Sequence, residues 1–410
     1  MKNIKRINWL VISLVVGLMA VSVSNAQDTA AAIRGTVADS EGNVLSGATV
    51  VIKHIPTGST KTLTTNSSGN YQARGLRVGG PYTVTISNPG YNSGVQEDIY
   101  LSLGEDKDVN VAIAAESFDV EEVVVFGKVG QSVFSADNMG SGTAISSETL
   151  ENSPTISRDV NDFLRLDSRI NLRDNGGFSV SGVNNRSNKF SIDGVGANDP
   201  FGLEANGFAG LGQPFNIDTI EQLNIQLSPY DVTLSNFTGA NINAVTKSGT
   251  NEFTGSLNYQ YGDEDLSRDL DAFENTQLSA TIGGPIIKDK LFFFIGYEDT
   301  SRSELPNRSF VSDTVAQSVI DAASSVYGID VGGLNAPGSL SDTKENLLLK
   351  VDWSINEDHR LSVKYNTNED INPQLPGFFS TGRSLSSHWY ANEYLNDSYA
   401  LNFYSDWSDK

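Results

Sequence analysis

From Phe253 onward, apolar and polar positions alternate along the chain. Phe253, Gly255, Leu257, Tyr259 and Tyr261 alternate with Thr254, Ser256, Asn258 and Gln260. Leu347, Leu349, Val351, Trp353 and Ile355 alternate with Lys350, Asp352 and Ser354, and Leu361, Val363 and Tyr365 repeat the pattern. Tyr399, Leu401, Phe403 and Trp407 do so once more. A period of two sends one set to each face of a strand, here an apolar set toward lipid and a polar set toward a lumen. The connections separate this from an ordinary half-buried sheet. Residues 284–290 and 356–359 are short links, whereas 303–343 and 370–393 are long and polar. Short turns at one end and long loops at the other are expected of an outer-membrane β-barrel, of which about six strands are legible.

The patterning before residue 250 differs. Lys2, Lys5 and Arg6 precede an apolar stretch over residues 7–23 and the small residues Ser24 and Ala26, so residues 1–26 read as a secretory signal with Gln27 beginning the mature chain. Residues 27–115 carry seven short strand-like runs, such as 48–53 and 82–87, punctuated by the turn clusters 39–42, 66–69 and 78–81. That spacing predicts a small β-sandwich. A linker over 116–127 contains Glu122, Val123, Val124, Val125 and Phe126. The valines are an ordinary strand on one reading. On the other they lack a partner strand in the chain and suit addition to another protein's sheet edge.

Residues 128–250 read as a mixed α/β domain rich in Gly and Asn, with a helix over 157–172 whose apolar face is Val160, Phe163, Leu164 and Ile170. Arg158, Arg165, Arg169 and Arg173 then fall near one other face. They are either local partners of Asp159, Asp162 and Asp174 or a basic stripe against an acidic barrel wall.

Composition narrows the chemistry. The 410 residues are 38% hydrophobic, with a mean hydropathy of -0.25. Beyond the N-terminus no run approaches the roughly 20 apolar residues of a spanning helix. The chain has no cysteine, which excludes thiolate metal sites, cysteine nucleophiles and a disulfide framework. The net charge of -22 repels nucleic acid. His54, His359 and His388 sit in unrelated elements, and the Asp263, Glu264, Asp265, Asp269 and Asp271 cluster lacks EF-hand spacing. Neither a catalytic constellation, nor a metal site, nor a cofactor site is read from these residues.

Several segments carry a family resemblance. Arg34-Gly-Thr-Val37, Ser46-Gly-Ala-Thr-Val50 and Ser68-Gly-Asn-Tyr71 resemble the carboxypeptidase-regulatory-like family, which implies a non-catalytic accessory sandwich. Residues 180–188, Ile192-Asp-Gly-Val195, 198–202 and 239–249 resemble the plug domain of TonB-dependent outer-membrane receptors, and 283–294 resembles the first periplasmic turn and next strand of the Oar-like branch. The resemblance implies that Glu122, Val123, Val124, Val125 and Phe126 form a TonB box. It implies an extracellular ligand bound by loops and plug apex, with TonB as partner, outer-membrane lipid around the barrel and a periplasmic sandwich.

The plug residues Asn184, Asn185, Arg186 and Asp199 are polar candidates for ligand contact, with a structural role in turns as the alternative. Siderophore, oligosaccharide, peptide and protein are all compatible ligands. A plug of about 120 residues has an outer radius of roughly 18 Å, which needs about twenty or more strands around it. Residues 251–410 are therefore expected to be the first strands of a ~22-stranded plugged barrel. Energised import is the expected activity; an outer-membrane adhesion or surface-organisation protein of the same architecture is the alternative.

Overall fold

The protein is described from a computed structural model that covers residues 29–116, 124–126, 142–153, 155, 158–173, 177–202, 204, 206–208, 210, 212–227, 235–266, 273–304, 313–333, 340–374 and 385–407. Residues 1–26, read above as a secretory signal, and Glu122 and Val123 lie outside these residues.

Eight short strands build the first unit: β1 (Ala31–Asp39), β2 (Thr49–His54), β3 (Thr60–Thr64), β4 (Asn70–Leu76), β5 (Gly79–Ser87), β6 (Gly94–Leu101), β7 (Asp106–Asp108) and β8 (Val111–Ile113). One sheet centres on β1, which pairs with β4 on one side and with β7 and β8 in succession on the other. The second runs β3-β2-β5-β6. Val50 and Ile52 alternate inward along β2 and meet Ile33, Val37, Val84, Ile86, Ile99 and Leu101 in a closed core. Each such side chain contributes about 1.5–3 kcal/mol by leaving water.

The valine run does have a partner. Val124–Phe126 forms β9, which lies parallel to β6 with Gly94 opposite Val124, Val95 opposite Val125 and Gln96 opposite Phe126. The expectation of a segment with no partner strand is corrected here. Strand β6 closes the β3-β2-β5-β6 path and leaves its outer backbone groups open, which is a template for a β-branched segment.

The middle unit holds the sheet β10 (Gly142–Ser146), β15 (Ile220–Gln226), β16 (Asn241–Thr246), β13 (Lys189–Ile192) and β14 (Val195–Gly196), in that spatial order, and the separate hairpin β11 (Ile170–Leu172) with β12 (Phe178–Val180). Helix α1 (Ser147–Asn152) is capped by Ser146, and α2 (Val160–Leu164) by Asp159. The helix expected over 157–172 is therefore only one short turn or so. Arg158 upstream is left-handed, with φ of 52°, and cannot begin a helix. Downstream the Asp167 carboxylate accepts from the Arg169 backbone N–H, a local bond that competes with helical continuation. The arginines consequently do not share a face. Arg165 pairs with Asp162, Arg169 with Asp167 and Arg158 with Asp218, which favours the reading of mostly local pairs over a basic stripe, with Asp167 and Asp218 as partners the sequence reading did not name.

Six long strands form the wall: β17 (Thr254–Asp263), β18 (Phe273–Ile287), β19 (Leu291–Glu304), β20 (Leu340–Ser354), β21 (His359–Gln374) and β22 (Tyr390–Ser405), each antiparallel to the next. Their polarity is inverted relative to a soluble sheet. Leu257, Tyr259, Ile282, Val351, Trp353, Val363, Tyr399, Leu401 and Phe403 are exposed, while Gln277, Ser279, Glu298, Asn346, Lys350, Asp352, Lys364, Asn366, Asn368 and Asp370 are buried. Apolar outside and polar inside is the arrangement required of a wall in lipid. The inward residues form a hydrogen-bonded ladder over five neighbouring strands. Gln277 donates to Glu298 at 2.5 Å, Asn346 to Glu298 at 2.9 Å, Asn368 to Asn346 at 3.0 Å and Asn396 to Asn368 at 3.3 Å.

Candidate functional site

The seam between the wall and the middle unit, the unit expected to be the plug, is built around Asp193. Ile192 pairs with Val195 across the two-residue loop Asp193-Gly194. Both loop residues have positive φ, 48° and 81°, the geometry of a type I′ hairpin turn, which Asp-Gly is suited to make. This turn aims the Asp193 carboxylate at the wall. There Lys350 and Lys364 stand directly opposite each other on β20 and β21. Like charges in that register repel and are buried besides.

The plug supplies what they lack. Lys364 Nζ lies 3.1 Å from Asp193 Oδ2 and donates to Ile192 O at 3.0 Å. Lys350 Nζ donates to Thr246 O and Oγ1 at 2.9 and 3.0 Å. Thr246 in turn donates through its N–H and hydroxyl to Asp193 at 2.8 and 2.6 Å. Burial alone would raise the Asp193 pKa; Lys364, then Lys350 and the Thr246 bonds, outweigh it and hold the carboxyl below its ordinary value.

Further contacts along the seam are equally hydrophilic. Asn216 donates to Ser279 Oγ at 2.8 Å, Asn366 to Pro214 O at 3.1 Å and Tyr394 to Glu204 at 2.9 Å. Gly249, where the plug chain enters the wall, has the Phe293 and Gly284 carbonyl oxygens where a Cβ would sit, so backbone passes against backbone there.

The sandwich seats against the short-turn end. Asn251 N–H donates to Pro56 O at 2.8 Å, Thr62 N–H to Glu357 at 3.1 Å and Arg360 to Gly75 O at 3.2 Å, while Leu103 N–H donates to Gln222 of the middle unit at 2.9 Å. Between sandwich, plug and wall lies a cavity of about 110 Å³ lined by His54, Arg77, Glu221, Lys350 and Arg360 among others. Arg77 pairs with the buried Asp352 at 3.3 Å, and the Arg360 guanidinium stacks 3.8 Å above the Tyr404 ring.

Burial, reinforced by Arg77 and Arg360, depresses the His54 pKa to about 3. Its Nδ1 shares a 2.7 Å hydrogen bond with Thr57 Oγ1. The unfolded chain takes up a proton near pH 6.5, which folded His54 refuses until about pH 3, so stability falls as pH drops through that window. The expected loss is about 2 kcal/mol at pH 5. Hydrogen exchange of the β2 amides between pH 7 and 5 should show it in the parent chain and not in His54→Gln; equal pH slopes in the two would contradict it.

The four candidate ligand contacts divide. Asn184 caps a short 3-10 turn, its side chain accepting from the Arg186 N–H, and Asn185 is buried in that turn. Asp199 accepts from the Phe201 and Glu204 N–H groups at 2.8 and 2.9 Å. Arg186 and Asp199 both line a cavity of about 290 Å³ together with Asn198, Gly202, Glu204 and Asn236. Through Glu204 and Tyr394 this cavity lies near the long-loop end of the wall. Sequence reasoning placed Lys350 and Asp352 on the lumen side by alternation, but gave Lys364, Asp193 and Arg77 no role, because their partners lie on other units of the chain.

Residues 32–114 match the carboxypeptidase regulatory-like domain and residues 245–329 an outer membrane beta barrel domain. The chain is 27% identical over 405 residues to the TonB-dependent transporter Oar of Myxococcus xanthus, covering 89% of this chain and 37% of that protein. It thus spans little more than a third of the length of that curated relative. Among solved structures, the siderophore receptor PirA from Acinetobacter baumannii aligns over 65% of this chain and 38% of its own, with 18% identity and a TM-score of 0.47. The outer membrane transporter YddB from Escherichia coli aligns over 64% and 36%, with 16% identity and a TM-score of 0.45.

Proposed function

We propose that this outer-membrane homologue of the TonB-dependent transporter Oar is the plug-bearing part of a receptor that imports an extracellular ligand, with TonB and the inner-membrane proton gradient supplying the work. In this reading residues 122–126 are the TonB box. Arg186 and Asp199 contact ligand from the plug, and Asn184 and Asn185 shape the turn beside them.

The observation that carries the reading is the hydrophilic seam. The plug meets the wall through Lys364, Lys350, Asp193, Thr246, Asn216 and Asn366. Water can replace such hydrogen bonds one at a time as the plug moves, at a small net cost per bond. An apolar seam would have to expose its surface to open.

The test is energy dependence. Ser191 is fully buried in the plug, and the chain has no thiol of its own. Ser191→Cys should be labelled by a membrane-impermeant maleimide in energised cells, and much less after a protonophore or in cells lacking TonB. Equal labelling in all three would favour a passive surface protein.

A further inference from the structure

The docked position of β9 bears on when the box can be used. Strand β6 pairs with β5 on its inner side, so the edge that β9 occupies is its only remaining one. That edge is short for a structural reason. Val84 pairs with Gln96 and Tyr82 with Ile99, so β6 carries one more residue than β5 between these pairs. This is a bulge, and Asp98 within it is left-handed, with φ of 56°. Bulges bend a strand and end regular pairing. The straight stretch before the bulge is Gly94 to Gln96, and β9 matches it residue for residue.

We infer that the β6 edge of the sandwich is an intramolecular binding site for the TonB box, so that sandwich and TonB compete for the same backbone. The inference rests on residues 122–126 being that box. A strand bound to one sheet edge through a given side of its backbone cannot offer that side to another sheet. The three-residue pairing holds the box without sealing it, because the bulge denies it a longer ladder. TonB must then bind from the undocked fraction, and its apparent affinity falls by that fraction. This gives the accessory sandwich a role: it keeps the box off TonB until docking is released.

The cysteine-free background allows a direct test in the full-length receptor, purified in detergent, with the periplasmic domain of TonB as probe. Val95 and Val125 are paired residues of adjacent strands, whose spacing of about 4.8 Å falls within the Cα range of a disulfide. The Val95→Cys, Val125→Cys receptor is expected to crosslink under copper–phenanthroline oxidation, and excess TonB domain should slow the reaction. The oxidised form should bind the TonB domain at least about ten-fold more weakly than the reduced form, with dithiothreitol restoring binding. In the unsubstituted receptor, those amides of residues 124–126 that face β6 should be protected from hydrogen exchange.

Undiminished TonB binding by the crosslinked receptor would overturn the competition. Absent crosslinking together with unprotected amides would overturn the docking, and if the reduced receptor still bound TonB the box assignment would survive. Failure of both the parent and the reduced receptor to bind TonB would remove the box assignment, and this inference with it.

Discussion

Replacing Val124 by proline is expected to weaken association of the receptor with the periplasmic domain of TonB severely, while wall and plug remain folded. Proline has no N–H to give to a ladder and its ring restricts the preceding residue, and the acceptor left without a partner costs about 1–3 kcal/mol. That corresponds to a loss in affinity of roughly 5- to 150-fold. In cells, energised uptake should disappear and binding of ligand at the surface should persist, because the proposed ligand contacts Arg186 and Asp199 line a cavity near the long-loop end of the wall. Val124 lies in the short edge strand β9, which pairs with only three residues of β6, so loss of that pairing is expected to spare the plug and the wall. Normal TonB binding by the Val124→Pro receptor would sink the assignment of residues 122–126. Because proline also disturbs the β6 pairing, this variant tests the box alone, and the crosslink is needed to test the docking.

The second large effect is expected at Asp193. Changing it to asparagine keeps the turn but leaves Lys350 and Lys364 opposed on neighbouring strands without a carboxylate between them. Both lysines are buried. Removing one partner of a buried charged network costs about 3–5 kcal/mol, mostly through the charge left behind. The plug of Asp193→Asn should therefore leave the wall at markedly lower denaturant or temperature, read as protease sensitivity of the plug before the wall melts. Adding Lys364→Met to Asp193→Asn should recover part of the loss, since it removes the buried charge that the first substitution stranded.

The pH dependence supplies a second readout. The folded pKa of Asp193 lies below its ordinary value, so its contribution is complete above pH 3.8 and is lost as pH falls through the folded pKa. Asp193→Asn should lack that acid-side component. A destabilisation of less than about 1 kcal/mol would show that the seam does not depend on this group.

Parts of this architecture were legible before any coordinates. Alternation along 253–261, 347–355 and 361–365 sets which side chains face lipid, because the period of a strand is two whatever surrounds it. The turns around 288–290 and 355–358 and the long polar links gave the wall its two ends in the same local way. Strand lengths were underestimated: β21 runs to Gln374, past Asp370, where the long polar link was expected to begin, and Asp370 is wholly buried beside Asn368 as an inward rung of the polar ladder. The helix over 157–172 failed for a local reason, since Asp167 folds its carboxylate back on its own backbone and periodicity does not register such bonds.

What the sequence by itself determined is whatever depends on neighbours along the chain: two small β-rich units, a wall with inverted polarity, an Asp-Gly turn and a β-branched run in a linker. What only the tertiary structure decided is which remote groups share a charge or an edge. Asp193 meets Lys364 across the plug–wall seam, Arg77 of the sandwich meets Asp352 of the wall, and Val124–Phe126 pairs with β6. A buried charge and an open strand edge both demand partners. Neither demand names its partner until folding brings distant segments within a few ångströms.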